Sequence, residues 1–292
     1  MGGALELIRQ TRAELPDALV ANGCGTDHLD PTQVHSLDDV RRAYLLQVEV
    51  IQKVGGRIIL MASRALVRAA RSPDAYIRVY SDVLAACDQP VILHWLGDMF
   101  DPALAGYWGA STFDASLDTV LSIINANVSR VDGIKISLLD AAKEVALRRR
   151  LPASVRMYTG DDFNYPELMQ GDDQGYSHAL LGIFDPLAAA AADAVTRLGA
   201  GDVAGFRAVL DPTVPLARLI FRAPTQNYKT GVVFIAWLNG HQDHFIMLNG
   251  AQALRPLPYF TEAFRLADGC GLLRDPELAV QRMKNLLALY GV

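Results

Sequence analysis

What most restricts the fold of this chain is a repeated change of hydrophobic period. Short runs apolar on both faces alternate with stretches of helical spacing. The runs are Asp17 to Asn22 (DALVAN), Arg57 to Ala62 (RIILMA), Pro90 to Trp95 (PVILHW), Asp132 to Leu138 (DGIKISL), Ser154 to Thr159 (SVRMYT) and Tyr176 to Phe184. A half-buried strand alternates apolar and polar residues, whereas a strand buried on both faces does not. With helical stretches between them, such strands predict a parallel sheet covered by helices.

The boundaries carry chemical signals. Ser36-Leu-Asp-Asp opens a helix, with Ser36 as cap and Asp39 three residues on, and Gly55-Gly56 closes it. After Asp185-Pro186 the pattern changes. An Ala-rich helix is expected from Pro186 to Leu198, with Asp185 as its cap and Gly199 as its stop. Helices then follow over 201–210, 214–223, 225–238, 258–267 and 276–290, although GVVFIAW at 231–237 fits a strand as well. The expected organisation is a (β/α) barrel domain over residues 1–200 and a C-terminal helical region over 201–292 packed on it.

Hydrophobic residues at 51% and charged residues at 20% support a sizeable core. A net charge of -5 without long like-charge runs gives no electrostatic footprint for nucleic acid or an anionic membrane. The apolar runs fall far short of the roughly 20 residues that cross a bilayer, and Met1-Gly2-Gly3 opens no basic-then-apolar leader. The expectation is a cytoplasmic protein with a small-molecule partner and no cofactor. Cys24, Cys87 and Cys270, an odd set without CxxC spacing, read as free thiols.

In parallel α/β sheets reactive groups gather at the C-terminal ends of strands. Those ends carry Cys24, Thr26, Asp27 and His28; Ser63 and Arg64; His94, Asp98 and Asp101; Lys135, Ser137 and Asp140; Thr159, Asp161 and Asp162; and Asp185. Lys135 stands out because the chain has five lysines against 22 arginines, and this one lies inside the apolar run Gly133-Ile-Lys-Ile-Ser. Burial lowers an amine from about 10.4 toward neutrality, giving a nitrogen that attacks carbonyls. The same lysine could instead reach solvent or pair with Asp140 or Asp161, and composition does not separate the two.

The order PVILHW, then DGIKIS, then MYTGDD resembles the dihydrodipicolinate synthase and N-acetylneuraminate lyase superfamily, class I aldolases built on the TIM barrel. In that family a strand ending Pro-Val-Ile-Leu-Tyr-Asn precedes Gly-Ile-Lys, which holds the Schiff-base lysine, and a strand ending Gly-Asp-Asp follows. Gly133-Ile134-Lys135 is the specific element, and the order holds over about residues 17 to 240. The resemblance implies a TIM (β/α)8-type barrel of which this chain shows six strands, the family's third to eighth, so that the first two βα units are expected upstream.

It also implies that Lys135 forms an imine and that His94, standing where the family has a tyrosine, relays protons. Asp161 matches the family's loop after the following strand, and Ser137, Asp98, Asp27 and His28 join it as substrate-binding candidates by their places at strand ends. The family's Gly-Thr-Thr-Gly-Glu motif is absent, and Leu96-Gly-Asp-Met-Phe replaces its arginine segment. The implied activity is lyase or aldolase chemistry on a 2-oxo acid or sugar acid, and the implied assembly is a homo-oligomer, a dimer or tetramer. Two other readings stay open. One is a metal-dependent barrel isomerase or hydrolase using the rim His and Asp residues, without any tight HxH spacing; the other is a non-catalytic small-molecule-binding barrel. His241-Gln-Asp-His244 reads as a solvated turn.

Overall fold

A computed structural model describes residues 2–30 and 32–292. The chain divides into two compact units. One comprises the residues up to Thr159 together with Asp173–His178; the other comprises Gly160–Asp172 and Ala179–Val292.

The first unit alternates strand and helix as the hydrophobic pattern requires. Its elements are α1 (Gly2–Glu14), β1 (Ala21–Cys24), α2 (Leu37–Lys53), β2 (Arg57–Leu60), α3 (Arg64–Ala69), α4 (Pro73–Ala85) and β3 (Val91–Leu96), then α5 (Phe113–Ala126), β4 (Val131–Ser137), α6 (Ala141–Arg148) and β5 (Arg156–Thr159). The sheet has six strands in sequential order, the last being β6 (His178–Ala179), and β1 through β5 pair in parallel. One face of these strands, including Leu60, Leu93, Ile134, Ile136 and Met157, is buried in a continuous apolar layer with Tyr44 and Val48 of α2, Tyr80 of α4 and Ile124 of α5. Each such side chain contributes about 1.5–3 kcal/mol when fully buried. Ser36 and Asp39 form the reciprocal cap of α2, the Ser36 oxygen accepting from the Asp39 N–H while the Asp39 carboxylate accepts from the Ser36 N–H at 2.9 Å.

Local expectations fail in three places here. The first strand is Ala21–Cys24 rather than 17–22, because its ladder to Arg57–Leu60 sets where extended backbone finds partners. Cys24 therefore faces the core, fully buried, and burial pushes its thiol up to about 12. Ser63 and Arg64 do not merely end a strand: the Ser63 hydroxyl accepts from the Leu66 N–H at 3.0 Å and opens α3, a helix too short to show periodicity. The sixth strand shrinks from 176–184 to His178–Ala179. Beyond it the backbone finds other partners, since Ile183 N–H donates to the Asp162 carboxylate at 2.8 Å and Asp185 N–H closes a turn on the Gly182 carbonyl.

The second unit contains α7 (Tyr165–Gln170), α8 (Ala188–Gly199), α9 (Val203–Leu210), α10 (Val214–Ile220), α11 (Tyr228–Leu238), α12 (Leu257–Gly269) and α13 (Pro276–Leu289). The ambiguous run GVVFIAW is helical: Thr230, Gly231, Phe234, Ile235, Trp237 and Leu238 are its buried positions, a helical stripe. Phe234 and Phe260 pack at 4.9 Å between ring centres, with Trp237 and Phe245 stacked beside them. The Ala-rich helix starts at Ala188 with Leu187 in the cap position and no side-chain cap, so Asp185 does not serve as its cap. Among the described residues, no helix is long and apolar enough to cross a membrane.

Candidate active site

The β3–β4 register places His94 opposite Lys135 and Leu96 opposite Ser137. Register partners in a parallel ladder project from the same face, and residues two apart on one strand do so as well. His94, Lys135 and Ser137 thus share the sheet face opposite the apolar layer that holds Leu93, Ile134 and Ile136. The three lie toward the C-terminal ends of their strands, where parallel α/β folds carry their reactive groups.

His94 is 5% exposed, with its ring held from both sides. Nε2 lies 3.0 Å from the Ser137 hydroxyl and Nδ1 lies 3.4 Å from the Met61 sulfur. A thioether sulfur can accept a hydrogen bond but cannot donate one. The arrangement that satisfies both contacts therefore protonates Nδ1 toward Met61 and leaves Nε2 to accept from the Ser137 hydroxyl. Burial first, and then the charge of Lys135, hold the His94 pKa well below the usual histidine range. The imidazole is neutral at physiological pH and offers a lone pair at Nε2.

Lys135 is half-buried and has Tyr158 of β5 as its register partner on the other side. The Tyr158 hydroxyl donates to the Asp132 carboxylate at 2.6 Å, and Arg156 pairs with the same carboxylate at 2.5 Å. Burial, then Asp132, push the Tyr158 phenol up, so it stays protonated. Gly133 makes this packing possible: a Cβ there would stand 2.5 Å from both the Arg156 carbonyl oxygen and Cε2 of Tyr158.

The remaining candidates fall elsewhere. Asp27 and His28 are exposed in the loop after β1, with His28 Nδ1 3.0 Å from Nε2 of Gln47. Asp27 lines a cavity of about 360 Å3 together with Asp30, His35, Arg64 and Arg68. Thr26 also lines it and shares a buried 2.6 Å hydrogen bond with Ser63, while Arg64 Nε donates to Asp101 at 2.6 Å. Asp98 is exposed and borders a smaller hollow of about 170 Å3 with Trp95, Phe113 and Lys143. Asp161 belongs to the second unit and is buried at the start of its loop; one carboxylate oxygen accepts from the Phe163 and Asn164 N–H groups at 2.9 and 3.0 Å, the other from Asn164 Nδ2 at 2.8 Å. Among the described residues, no three His, Cys, Asp or Glu side chains gather as metal ligands. Met61 and Arg68 carry no functional signal in the sequence, Met61 because an apolar residue in a strand reads as core.

A family model described as "Protein of unknown function (DUF993)" matches residues 1–292. The chain belongs to the DUF993 family. No match was found among curated proteins. Solved structures do match. Dihydrodipicolinate synthase from Thermotoga maritima aligns with a TM-score of 0.68 at 14% identity, covering 92% of this chain and 81% of that one. YagE from E. coli K12, a prophage protein of the dihydrodipicolinic acid synthase family in complex with pyruvate, aligns with the same TM-score, identity and coverage. The dihydrodipicolinate synthase from Acinetobacter baumannii complexed with pyruvate gives 0.65 at 16% identity, covering 93% and 81%. At such identity the likeness establishes the fold: this DUF993 chain has a TIM-barrel-type α/β architecture, with six strands and a helical C-terminal region.

Proposed function

We propose that the chain is an imine-forming lyase or aldolase acting on a 2-oxo acid or a related sugar acid, with Lys135 as the amine and His94, through Ser137, as the proton relay. The observation that carries this reading is the β3–β4 register, which gathers an amine, a hydroxyl and a buried neutral imidazole on one sheet face. The likeness to dihydrodipicolinate synthase folds, two of them complexed with pyruvate, supports it.

In this reading the Lys135 nitrogen attacks the substrate carbonyl carbon, and the carbonyl oxygen is protonated and leaves as water, giving an iminium ion. The iminium draws in the electron pair of the nearby C–C bond as that bond breaks, leaving an enamine, and the fragment released as an aldehyde gives up its hydroxyl proton. Ser137 takes that proton as it passes its own to Nε2 of His94. Protonation of the enamine carbon and hydrolysis of the resulting iminium return the free amine. Arg64 and Arg68, in the cavity that Asp27 also lines, are the proposed partners of the substrate carboxylate in place of the family's missing motif.

The test is reductive trapping. Borohydride added with pyruvate or a longer 2-oxo acid should leave a stable adduct of the expected mass on the peptide carrying Lys135, and Lys135→Arg should abolish it. Adduct formation at another lysine, or reversible binding with nothing trapped, would overturn the assignment.

A further inference from the structure

The second unit contains a cleft of about 690 Å3 between its helices, within the size range of small-molecule sites. Leu187 at the start of α8, Val209 of α9, Val232 and Ile235 of α11 and Leu272 supply apolar wall. Ala188, Ala189 and Ala190 form the adjoining wall, and their side chains end at Cβ, so α8 leaves the space unfilled.

Polar groups enter where α11 ends. Asn239, its C-cap, donates through Nδ2 to the Leu272 carbonyl at 3.1 Å and accepts through Oδ1 from the Arg274 N–H at 2.8 Å. These two bonds fix the loop before α13 against the helix end and bring Arg274 to the cleft wall. The Arg274 side chain makes no ion pair among the described residues. His241 joins it on the lining, its own N–H tied to the Ala236 carbonyl at 3.0 Å. Two acids border the cleft from the α8 side. Asp193 is paired with Arg197 at 3.0 Å, and Asp185 lines the cleft with it, while Arg274 and His241 line it from the loops that follow α11 and precede α13.

We propose that this cleft binds an apolar-tailed carboxylate, its tail along α8 and α11 and its head group on Arg274 and His241. The site is built wholly from second-unit residues and does not depend on imine chemistry at Lys135. Cys270 makes it measurable. Cys270 is a partly exposed residue on the cleft lining whose thiol donates to the Pro212 carbonyl at 3.0 Å, whereas Cys24 and Cys87 are buried.

The experiment follows maleimide labelling of Cys270 by intact-protein mass spectrometry in the presence of decanoate, decylamine or decanol. Decanoate should slow labelling at lower concentration than the other two. Arg274→Gln, at an exposed position whose side chain makes no hydrogen bond or ion pair among the described residues, should raise the protecting concentration of decanoate about tenfold or more while leaving decanol unchanged. Ala236→Phe, which fills the space beside α11, should remove protection by all three. Absence of protection, equal protection by decylamine or decanol, or indifference to Arg274→Gln would each overturn the proposal. A failure of lysine trapping would leave these readings untouched, and if Ala236→Phe does not fold, Arg274→Gln still decides.

Discussion

His94 and Lys135 face each other across the parallel β3–β4 ladder, so the charge of the amine acts on a buried imidazole on the same sheet face. The pairing follows from register, and a slip of β4 by one residue against β3 would turn Lys135 into the apolar layer and away from His94. Burial dominates the low His94 pKa and the lysine charge adds to it, so the two causes can be separated by experiment.

Removing the lysine charge should move the His94 titration upward. Lys135→Met takes away a neighbouring positive charge, which favours the imidazolium, yet burial remains and keeps the value below about 6.5. Lys135→Arg keeps the charge and should leave the titration near its starting point. Ring proton shifts followed by NMR from pH 4 to 8 read both results; identical curves for the two variants would show that the lysine does not act on His94.

Stability should fall as the solution is acidified below about pH 6.5. The folded-state His94 pKa lies beneath the unfolded one, so between the two values the unfolded chain binds more protons and unfolding free energy rises with pH. The slope from one such group reaches at most about 1.4 kcal/mol per pH unit and vanishes above the unfolded pKa. His178 is also lowered, by burial first and then by Arg156, and adds in the same direction. Urea unfolding at pH 5, 6, 7 and 8 should show the slope reduced in His94→Gln; an unchanged slope would assign the acid sensitivity elsewhere.

Ser137→Ala should destabilise the protein by about 1–3 kcal/mol, because it leaves Nε2 of His94 buried without its hydroxyl partner. The measurement is the shift of the urea midpoint at pH 7.5, where His94 is neutral. If the lyase reading holds, turnover should drop further than binding, since the proton path through Ser137 is lost while Lys135 remains. A neutral effect on both would remove Ser137 from the site.

Two glycines on the same sheet face should respond very differently to alanine. At Gly133 a Cβ would meet the Arg156 carbonyl oxygen and the Tyr158 ring at 2.5 Å, and the backbone atom cannot move aside cheaply. Gly133→Ala should cost about 1–3 kcal/mol or more. At Gly23 the nearest atom is Cγ of Met61 at 3.4 Å, ordinary contact, and Gly23→Ala should lie within about 0.5 kcal/mol of the parent. Thermal unfolding of the two variants side by side tests the close approach of β4 and β5.

Lys135 and Ser137 were legible in the sequence because a lysine in an apolar strand is conspicuous and alternate residues of one strand share a face. The contact between His94 and Met61 was not, since it joins strands 33 residues apart and a methionine in an apolar run looks like core. Asp161 stands in the loop after β5, where the family resemblance implies mostly structural hydrogen bonding, and its carboxylate gathers the backbone N–H groups of Phe163 and Asn164, a use that any Asp at a loop start can adopt.

By itself, then, the order of residues determined the alternation of strand and helix, the cap of α2 and the face on which Lys135 projects. These are consequences of backbone periodicity and of hydrogen bonds spanning three or four residues. Tertiary structure decided where β1 and β6 begin and end, that GVVFIAW winds as helix, and which groups surround His94. Those outcomes depend on partners far away in the chain, whose burial and ladder bonds outweigh local preference.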